Sequence, residues 1–158
     1  MAFTYYTQSK LVFGMGAEAQ LENLLKENHA TSVLLVYSGE YVFDLGIYDV
    51  VDRAVRDLGA TLIETGEVVP NPRIDLVRAT IEQARAAKID FILAVGGASS
   101  FDTAKAIGVG LKYDGDVWDL FTGAAEPTDS VPVGVISTIP GSGSEVSDCA
   151  VLQQGHDK

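Results

Sequence analysis

The strongest constraint on the fold of this 158-residue chain is the alternation of short apolar runs with amphipathic stretches. Apolar runs at residues 32–37, 61–64, 90–95 and 133–138 have the length of buried strands. Between them, apolar side chains recur every three or four residues, as on a helix with one buried face. Strands that alternate with helices pair in parallel. The sequence therefore predicts an α/β fold with a doubly wound, mostly parallel sheet.

Three further segments refine this prediction. Residues 10–13 indicate a strand at a sheet edge, pairing back with residues 3–6. Residues 150–152 indicate a last strand, before a polar tail. Pro70, Asn71 and Pro72 predict a stiff turn that blocks helix formation until Arg73.

Charge and cysteine content limit the partners. Lys and Arg number 11 against 22 Asp and Glu, so the net charge is −11. Such a surface repels nucleic acid and anionic membranes, and no stretch approaches the length of a membrane span. Cys149 is the sole cysteine, which excludes an intramolecular disulfide and fits a reducing cytosol. We expect a cytoplasmic protein in which Cys149 is a small buried residue.

The loop at residues 96–100 is the first candidate ligand site. It follows a buried strand and precedes a helix, which is where open parallel sheets bind ligands. Gly96 and Gly97 permit close backbone approach, and Ser99 and Ser100 are predicted to cap the helix. A helix N-terminus suits a pyrophosphate, although an ordinary tight turn with a serine cap has the same pattern.

Two other loops at strand ends are candidates. Residues 138–147 interleave glycines with small hydroxyl residues, which indicates either close approach to a ligand or a flexible connector. Ser38, Gly39 and Glu40 follow the strand at 32–37, where dinucleotide folds meet the adenosine ribose. A carboxylate there binds a ribose 2′-hydroxyl and repels a 2′-phosphate.

A competing phosphate motif lies near the start of the chain. Gly14, Gly16 and Ala19 match the pattern G-x-G-x-x-A after the strand predicted at residues 10–13. That strand begins with the charged Lys10 and has the character of a sheet edge, which is not the context that the motif requires. The sequence therefore favours residues 96–100, and not this motif, as the phosphate site.

In combination, these motifs resemble those of a known family. Residues 96–105, from Gly96 to Lys105, resemble the GGGSxxDxAK signature of iron-containing, or group III, alcohol dehydrogenases, and residues 138–146 resemble their TTxGTGSEVT segment. The match covers essentially all 158 residues and is most similar to the butanol dehydrogenase type. The resemblance implies a Rossmann-like domain that binds NAD or NADP.

The resemblance also implies roles for individual residues. Gly96 to Ser100 would bind the pyrophosphate, Asp102 would line the cleft and Lys105 would support its helix. Thr138 and Ile139 would contact the adenine side, while Ser147 and Asn71 would lie towards the nicotinamide. A family lysine that touches the ribose falls near Lys158. The implied cofactor-binding residues are Ser38, Gly39, Asn71, Gly96, Gly97, Ala98, Ser99, Ser100, Asp102, Thr138, Ile139 and Ser147.

The chain departs from the family pattern at two places. NADP-using relatives read YGGGS after the strand at 32–37, where this chain has Glu40 and Tyr41 in place of the third glycine and the serine. NAD-preferring members carry an aspartate near Ser38 or Gly39, so neither cofactor pattern is complete. The family's metal ligands, an aspartate and three histidines, lie in a second, helical domain, and no residue here matches them.

These observations lead to one expectation and two alternatives. We expect residues 1–158 to form the dinucleotide-binding domain, truncated before the metal-binding domain, of a metal-dependent alcohol dehydrogenase or aldehyde reductase. Its partners would be NAD or NADP, a small alcohol or aldehyde, and further copies of itself in a homo-oligomer. Fe²⁺ or another divalent metal is expected only in the missing domain, so the isolated chain should be inactive, with no catalytic or metal-binding residue. The alternatives are a non-catalytic nucleotide-binding module and an enzyme similar to glycerol dehydrogenase or dehydroquinate synthase.

Overall fold

The computed structural model describes residues 9–155, and its centre is a parallel sheet. The strands in the described part are β1 (Ser32–Tyr37), β2 (Thr61–Thr65), β3 (Phe91–Gly96) and β4 (Val133–Ser137), in the order β2-β1-β3-β4. All neighbouring strands are parallel. The four central apolar runs therefore form strands within one or two residues of the predicted bounds.

Helices connect these strands. The α-helices are α1 (Leu21–Glu27), α2 (Tyr41–Asp44), α3 (Ile47–Asp57), α4 (Ile74–Ala86), α5 (Ala98–Leu111) and α6 (Trp118–Thr122). Short 3₁₀ segments cover Ala17–Gln20 and Ser144–Val146. None of the helices in residues 9–155 has the length and apolar character that a bilayer crossing requires.

Both faces of the sheet are covered. Leu34, Val36, Ile92 and Ala94 pack beneath α4 and α5 on one face. Alternate residues of the same two strands, Val33, Leu35, Leu93 and Val95, pack against α1 and α3 on the other face. Successive side chains of a strand point to opposite faces, so a strand covered on both faces must be apolar throughout. The predicted doubly wound α/β fold is confirmed.

Asp90 holds the amino ends of β1 and β3 together. Its carboxylate accepts the backbone N–H of Thr31 at 3.0 Å and of Ser32 at 2.9 Å. The Thr31 hydroxyl also donates to it. Burial by itself raises the pKa of Asp90, but these hydrogen bonds outweigh burial and hold the pKa below its ordinary value. The clamp aligns the two strands whose opposite ends form the site.

Two predicted strands are absent from the described residues. Residues 10–13 have no strand pairing, Leu11 and Phe13 are exposed, and Lys10 forms an ion pair of 2.6 Å with Glu27. The residues predicted to pair with them, 3–6, lie outside the described part. Residues 150–152 are not a strand either.

The segment that follows residues 150–152 is held by the start of α4. Gln153 donates its N–H to Pro72 O at 2.8 Å and accepts the N–H of Ile74 at 3.1 Å. The last described segment therefore lies at the start of a helix, not at the sheet edge, because its backbone groups find partners beside the Pro70–Pro72 turn, which is present as predicted.

Candidate functional site

The chain reverses its direction of winding between β1 and β3. From β1 it moves outward to β2, then crosses to β3 and β4 on the other side. A doubly wound sheet has its ligand crevice at this switch point, beyond the carboxyl ends of the strands. Tyr37 pairs with Val95 at the end of the ladder, which brings Ser38 beside Gly96. Two of the three predicted loops therefore meet.

The third loop joins them through the backbone. Thr138, directly after β4, donates its N–H to Gly96 O at 2.9 Å. Ile139 lies near Gly97, because a Cβ atom built on Gly97 would be 3.8 Å from the Ile139 Cβ. The side chain of Ile139 is 67% exposed. The carboxyl ends of β1, β3 and β4 thus bring together most of the residues that the sequence predicted for the site.

Helix α5 begins earlier than the sequence indicated. Gly97 is its N-cap, so Ala98, Ser99 and Ser100 form the first turn and are not part of a loop. No side chain caps this end, which contradicts the predicted serine cap. A glycine N-cap supplies no side-chain acceptor. The Ser100 N–H donates to Gly97 O at 3.0 Å, so only the N–H groups before Ser100 stay free at the crevice. Together with the helix dipole, they favour an anion there.

Ser100 is the unusual member of this turn. It is fully buried, and its Oγ has no hydrogen-bond partner within the chain. A buried hydroxyl without a partner costs about 1–3 kcal/mol, so such groups are uncommon and call for an explanation. A Cβ atom built on Gly96, whose φ is +144°, would be 2.6 Å from this Oγ. Glycine is therefore required at position 96 both by backbone conformation and by space.

Tyr41 adds a hydroxyl to the site. The sequence marked this residue only as the replacement of a serine in the family pattern. The short helix α2 places its hydroxyl 3.4 Å from Ser38 Oγ and 3.3 Å from Thr138 Oγ1. The same hydroxyl would be 3.1 Å from a Cβ built on Gly96. Tyr41 therefore bridges the loops after β1 and β4 across the end of β3. The contact between Tyr41 and Thr138 joins residues 97 positions apart in the chain, so no local sequence pattern predicts it.

A second polar network holds the segment after β4 against α5. Asp102 is buried and accepts the Ser144 hydroxyl at 2.7 Å and the Val151 N–H at 3.1 Å. Lys105 donates to Ser144 Oγ at 2.8 Å and to Cys149 O at 2.7 Å. Burial lowers the pKa of Lys105 below its ordinary value, although the charge of Asp102 acts in the opposite direction. Both carboxylate oxygens of Asp102 are thus engaged by the chain itself.

The remaining predicted residues lie further out. Asn71 is exposed and has a left-handed backbone, with φ of +56°, in the turn before α4. Gly39 is exposed, with φ of +81°. Ser147 is exposed, and its Oγ accepts the Cys149 N–H at 3.0 Å. Cys149 itself is exposed, so the prediction that it is buried is wrong, because the network above holds it by its carbonyl oxygen. Lys158 lies outside the described residues.

The competing glycine motif near the N-terminus lacks the required context. Residues 9–13, the described residues before Gly14, contain no strand, and a Cβ on Gly14 or Gly16 would meet no atom within 4 Å. Met15 between them is fully exposed. These glycines therefore do not form a close-packed strand-to-helix turn, whereas Gly96 does.

The described residues do not suit a metal. Residues 9–155 contain no group of three or more His, Cys, Asp or Glu that could hold an ion. His29 is exposed after α1. We assign no residue of this part of the chain to iron.

The fold and the crevice at its switch point are those of a doubly wound α/β protein that binds a ligand beyond the carboxyl ends of its strands. Comparison with known families narrows this class: the model of the family described as "Iron-containing alcohol dehydrogenase" matches residues 8–158. The chain belongs to the iron-containing alcohol dehydrogenase family. The family match confirms the resemblance seen in residues 96–105 and 138–146.

Individual relatives give the same result. The chain is 43% identical to the probable NADH-dependent butanol dehydrogenase 2 of Bacillus subtilis, over 95% of this chain and 38% of the relative. It is 32% identical to the NADPH-dependent aldehyde reductase YqhD of Escherichia coli, over 96% of this chain and 39% of the relative. The crystal structure of NADH-dependent butanol dehydrogenase A from Thermotoga maritima superposes with a TM-score of 0.92 at 32% identity, covering 97% of this chain and 38% of that one. The chain thus spans about two fifths of the length of these relatives.

Proposed function

We propose that the chain forms the NAD(P)-binding part of a metal-dependent alcohol dehydrogenase or aldehyde reductase. In this function, hydride passes between the nicotinamide and a small alcohol or aldehyde. The observation that carries the proposal is the buried, unpartnered Ser100 hydroxyl in the uncapped first turn of α5, beside Gly96. The family membership of the chain and the cofactors of its relatives support it.

The residues present fit a pyrophosphate. A bridging diphosphate needs several donors and no side-chain obstruction, and it gains from a helix N-terminus. Gly96 and Gly97 supply open backbone, the start of α5 supplies free N–H groups, and Ser100 supplies a desolvated hydroxyl. The net charge of −11 does not attract the ligand, so these local dipoles must hold it.

The other residues take positions along the same crevice in this proposal. Ser38 and Gly39 face the adenosine ribose, and Thr138 and Ile139 face the adenine. Asn71 and Ser147 lie towards the nicotinamide. Asp102 acts through Ser144 and Val151 by holding the loop after β4 in place, and so is a positioning residue. The nicotinamide carries the hydride when the dinucleotide is bound.

Iron does not enter the chemistry that we assign to these residues. The described residues offer no ligand set for it, and we derive no step through a metal from them. We expect the 158-residue chain by itself to show no metal-dependent alcohol oxidation, and measurable turnover with butanol, NAD⁺ and Fe²⁺ would overturn this expectation.

A calorimetric titration tests the proposal. The chain is titrated with NADH, NADPH and ADP-ribose, the last of which contains the pyrophosphate without the nicotinamide. We expect at least one dinucleotide and ADP-ribose to bind, and the variant Ser99→Trp to weaken both by at least tenfold because the indole blocks the start of α5. The control Thr128→Trp places the same side chain at an exposed position in the loop before β4, away from the crevice. Absence of all binding to the native chain, or equal affinity in Ser99→Trp, would refute the proposal.

A further inference from the structure

The segment that follows β4 is anchored to the start of α5 at two points. At the first point, Thr138 donates its N–H to Gly96 O at 2.9 Å. At the second point, the Ser144 hydroxyl donates to Asp102 at 2.7 Å and accepts a hydrogen bond from Lys105 at 2.8 Å. Gly96 lies just before α5, and Asp102 and Lys105 belong to the second turn of this helix. Both anchors therefore lie beside the start of α5.

The five residues between these anchors, 139–143, form no hydrogen bond to another element of the described chain. Their hydrogen bonds in that part of the chain are local. The Ser144 N–H, for example, donates to Ser142 Oγ at 3.2 Å. The backbone N–H groups of Gly141, Ser142 and Gly143 find no acceptor among the described residues. Three donors thus lie free on a loop that is held only at its ends.

Two glycines give this loop both space and freedom to move. Gly141 has a φ of +149° and Gly143 a φ of +74°. A Cβ atom built on either glycine would meet no atom within 4 Å, so the space around the loop is open. Glycine adopts both positive and negative φ values readily, which allows a short segment to change its direction. Residues 139–143 can therefore move without breaking a hydrogen bond to the rest of the domain.

The loop begins beside the proposed pyrophosphate site. A Cβ atom built on Gly97, the N-cap of α5, would be 3.8 Å from the Ile139 Cβ, yet the Ile139 side chain is exposed. The next turn contains the buried Ser100 hydroxyl, which has no partner. Free donors thus lie on two adjacent segments, one at the start of a helix and one on a loop that can move. An exposed apolar side chain at the edge of the loop favours a rearrangement that covers it.

We propose that residues 139–143 form a flap, which closes over a diphosphate bound at the start of α5 and holds it between two sets of backbone N–H groups. This inference rests on the proposed function, since it assumes that a dinucleotide occupies the crevice. The diphosphate drives closure because its charge attracts the free N–H groups of the flap, while the net charge of −11 supplies no attraction. Closure also covers Ile139 and excludes water, which strengthens the hydrogen bonds to the phosphate oxygens.

Hydrogen exchange resolved by residue tests the flap. In the ligand-free chain, the amides of residues 141–143 should exchange as in an unfolded peptide, whereas the Thr138 amide, bonded to Gly96 O, should exchange at least tenfold more slowly. Saturating ADP-ribose should slow exchange at residues 141–143 by at least tenfold, and inorganic pyrophosphate should also slow it. Adenosine, which lacks phosphate, should leave these amides unchanged. The amides of Thr128 and Asp129, exposed in the loop before β4, serve as the internal control.

Two matched glycine variants test the hinge. Gly143 and Gly123, which follows α6, have nearly the same backbone, with φ of +74° and +76°, and a Cβ on either would meet no atom within 4 Å. Alanine should therefore strain both positions equally, but only Gly143→Ala restricts the flap. We expect Gly143→Ala to weaken ADP-ribose binding by at least fivefold and to reduce the protection of residues 141–143. Gly123→Ala should bind ADP-ribose as the native chain does.

The outcomes separate this inference from the proposed function. If calorimetry shows that the native chain binds none of NADH, NADPH and ADP-ribose, the proposed function fails and the inference fails with it. If ADP-ribose binds but the amides of residues 141–143 stay unprotected, or if they are equally protected without ligand, the proposed function stands and the flap is refuted. Protection by adenosine equal to that by ADP-ribose would overturn the role of the diphosphate. Equal losses of affinity in Gly143→Ala and Gly123→Ala would overturn the role of Gly143 as a hinge.

Discussion

The hydroxyl of Ser144 donates a hydrogen bond of 2.7 Å to the carboxylate of Asp102, which lies 42 residues earlier in the chain. Lys105, one helical turn after Asp102, donates to the same Ser144 oxygen at 2.8 Å. Asp102 also accepts the Val151 N–H at 3.1 Å. A single turn of α5 therefore holds the segment 144–151, which follows the loop after β4, in place.

Removal of the Ser144 hydroxyl should release this segment from α5. In Ser144→Ala, a buried carboxylate and a mostly buried ammonium each lose a partner, and we expect the free energy of unfolding to fall by about 1–3 kcal/mol. Urea denaturation measures this loss, and limited proteolysis should show faster cleavage within residues 138–151. The control Ser142→Ala removes an exposed hydroxyl that accepts the Ser144 N–H at 3.2 Å, where water can substitute. Equal losses in the two variants would contradict the role given to the network.

Ser100→Ala should have opposite effects on stability and on binding. The Ser100 Oγ is buried without a partner, so its removal should raise the free energy of unfolding of the ligand-free chain by about 1 kcal/mol. The same change should weaken NADH binding several-fold, because a desolvated donor to the pyrophosphate is lost. Thermal unfolding and calorimetry measure the two effects.

A matched control for Ser100→Ala exists one turn later on the same helix. Thr103 is also fully buried, but its hydroxyl donates to Ser99 O at 2.8 Å. Thr103→Val should therefore lower the stability where Ser100→Ala raises it. If both variants lose stability equally, Ser100 is an ordinary structural hydroxyl and its assignment to the ligand is wrong.

Gly96→Ala tests the close approach of α5 to the end of β3. Gly96 and Gly141 have almost the same backbone, with φ of +144° and +149°. Alanine at either position should cost about 1–3 kcal/mol in backbone strain. A Cβ on Gly96 would in addition lie 2.6 Å from Ser100 Oγ and 3.0 Å from Ser38 Oγ, whereas one on Gly141 would meet no atom within 4 Å.

The difference between these two glycine variants isolates the steric contact. Gly96→Ala should lower the free energy of unfolding by about 1–3 kcal/mol more than Gly141→Ala, the usual cost of overpacking. Chemical denaturation of both variants measures it. A Gly96→Ala loss no larger than that of Gly141→Ala would show that the crevice at position 96 is wider than the structure indicates.

Asp90 should give the protein an acid-dependent part of its stability. Its pKa is lowered in the folded state, so its contribution is complete above the unfolded pKa of about 3.9 and is lost as the pH falls through the lower folded value. Asp90→Asn should cost about 1–3 kcal/mol at neutral pH because charged hydrogen bonds to Thr31 and Ser32 are weakened. The difference in free energy of unfolding between the native protein and Asp90→Asn should shrink as the pH falls from about 5 to about 2.

Urea denaturation at several pH values checks this expectation. The control Asp114→Asn changes an exposed carboxylate in the turn after α5. The free energy of unfolding of Asp114→Asn should stay within about 0.5 kcal/mol of that of the native protein, as for most surface substitutions. A constant gap between native protein and Asp90→Asn down to about pH 2 would contradict the lowered pKa of Asp90.

Local sequence determined most of the architecture. The runs at Ser32–Tyr37 and Phe91–Gly96 are apolar throughout because both faces of each strand are buried, and this burial leaves a pattern that does not depend on distant residues. The glycines and serines at 96–100, followed by a helical stripe, likewise located the crevice. Prediction failed at residues 10–13 and 150–152, where a short apolar run indicates a strand but pairing with a neighbour decides whether one forms.

Tertiary structure alone decided how the site is completed. The bridge from Ser38 through Tyr41 to Thr138 and the contact of Asp102 with Ser144 join loops that only the strand order β2-β1-β3-β4 brings together. The unpartnered state of Ser100 is equally a property of packing, since it depends on what lies within hydrogen-bond distance of one buried oxygen. Sequence periodicity reports which face of an element is buried, whereas the partner across that face is set by topology and register.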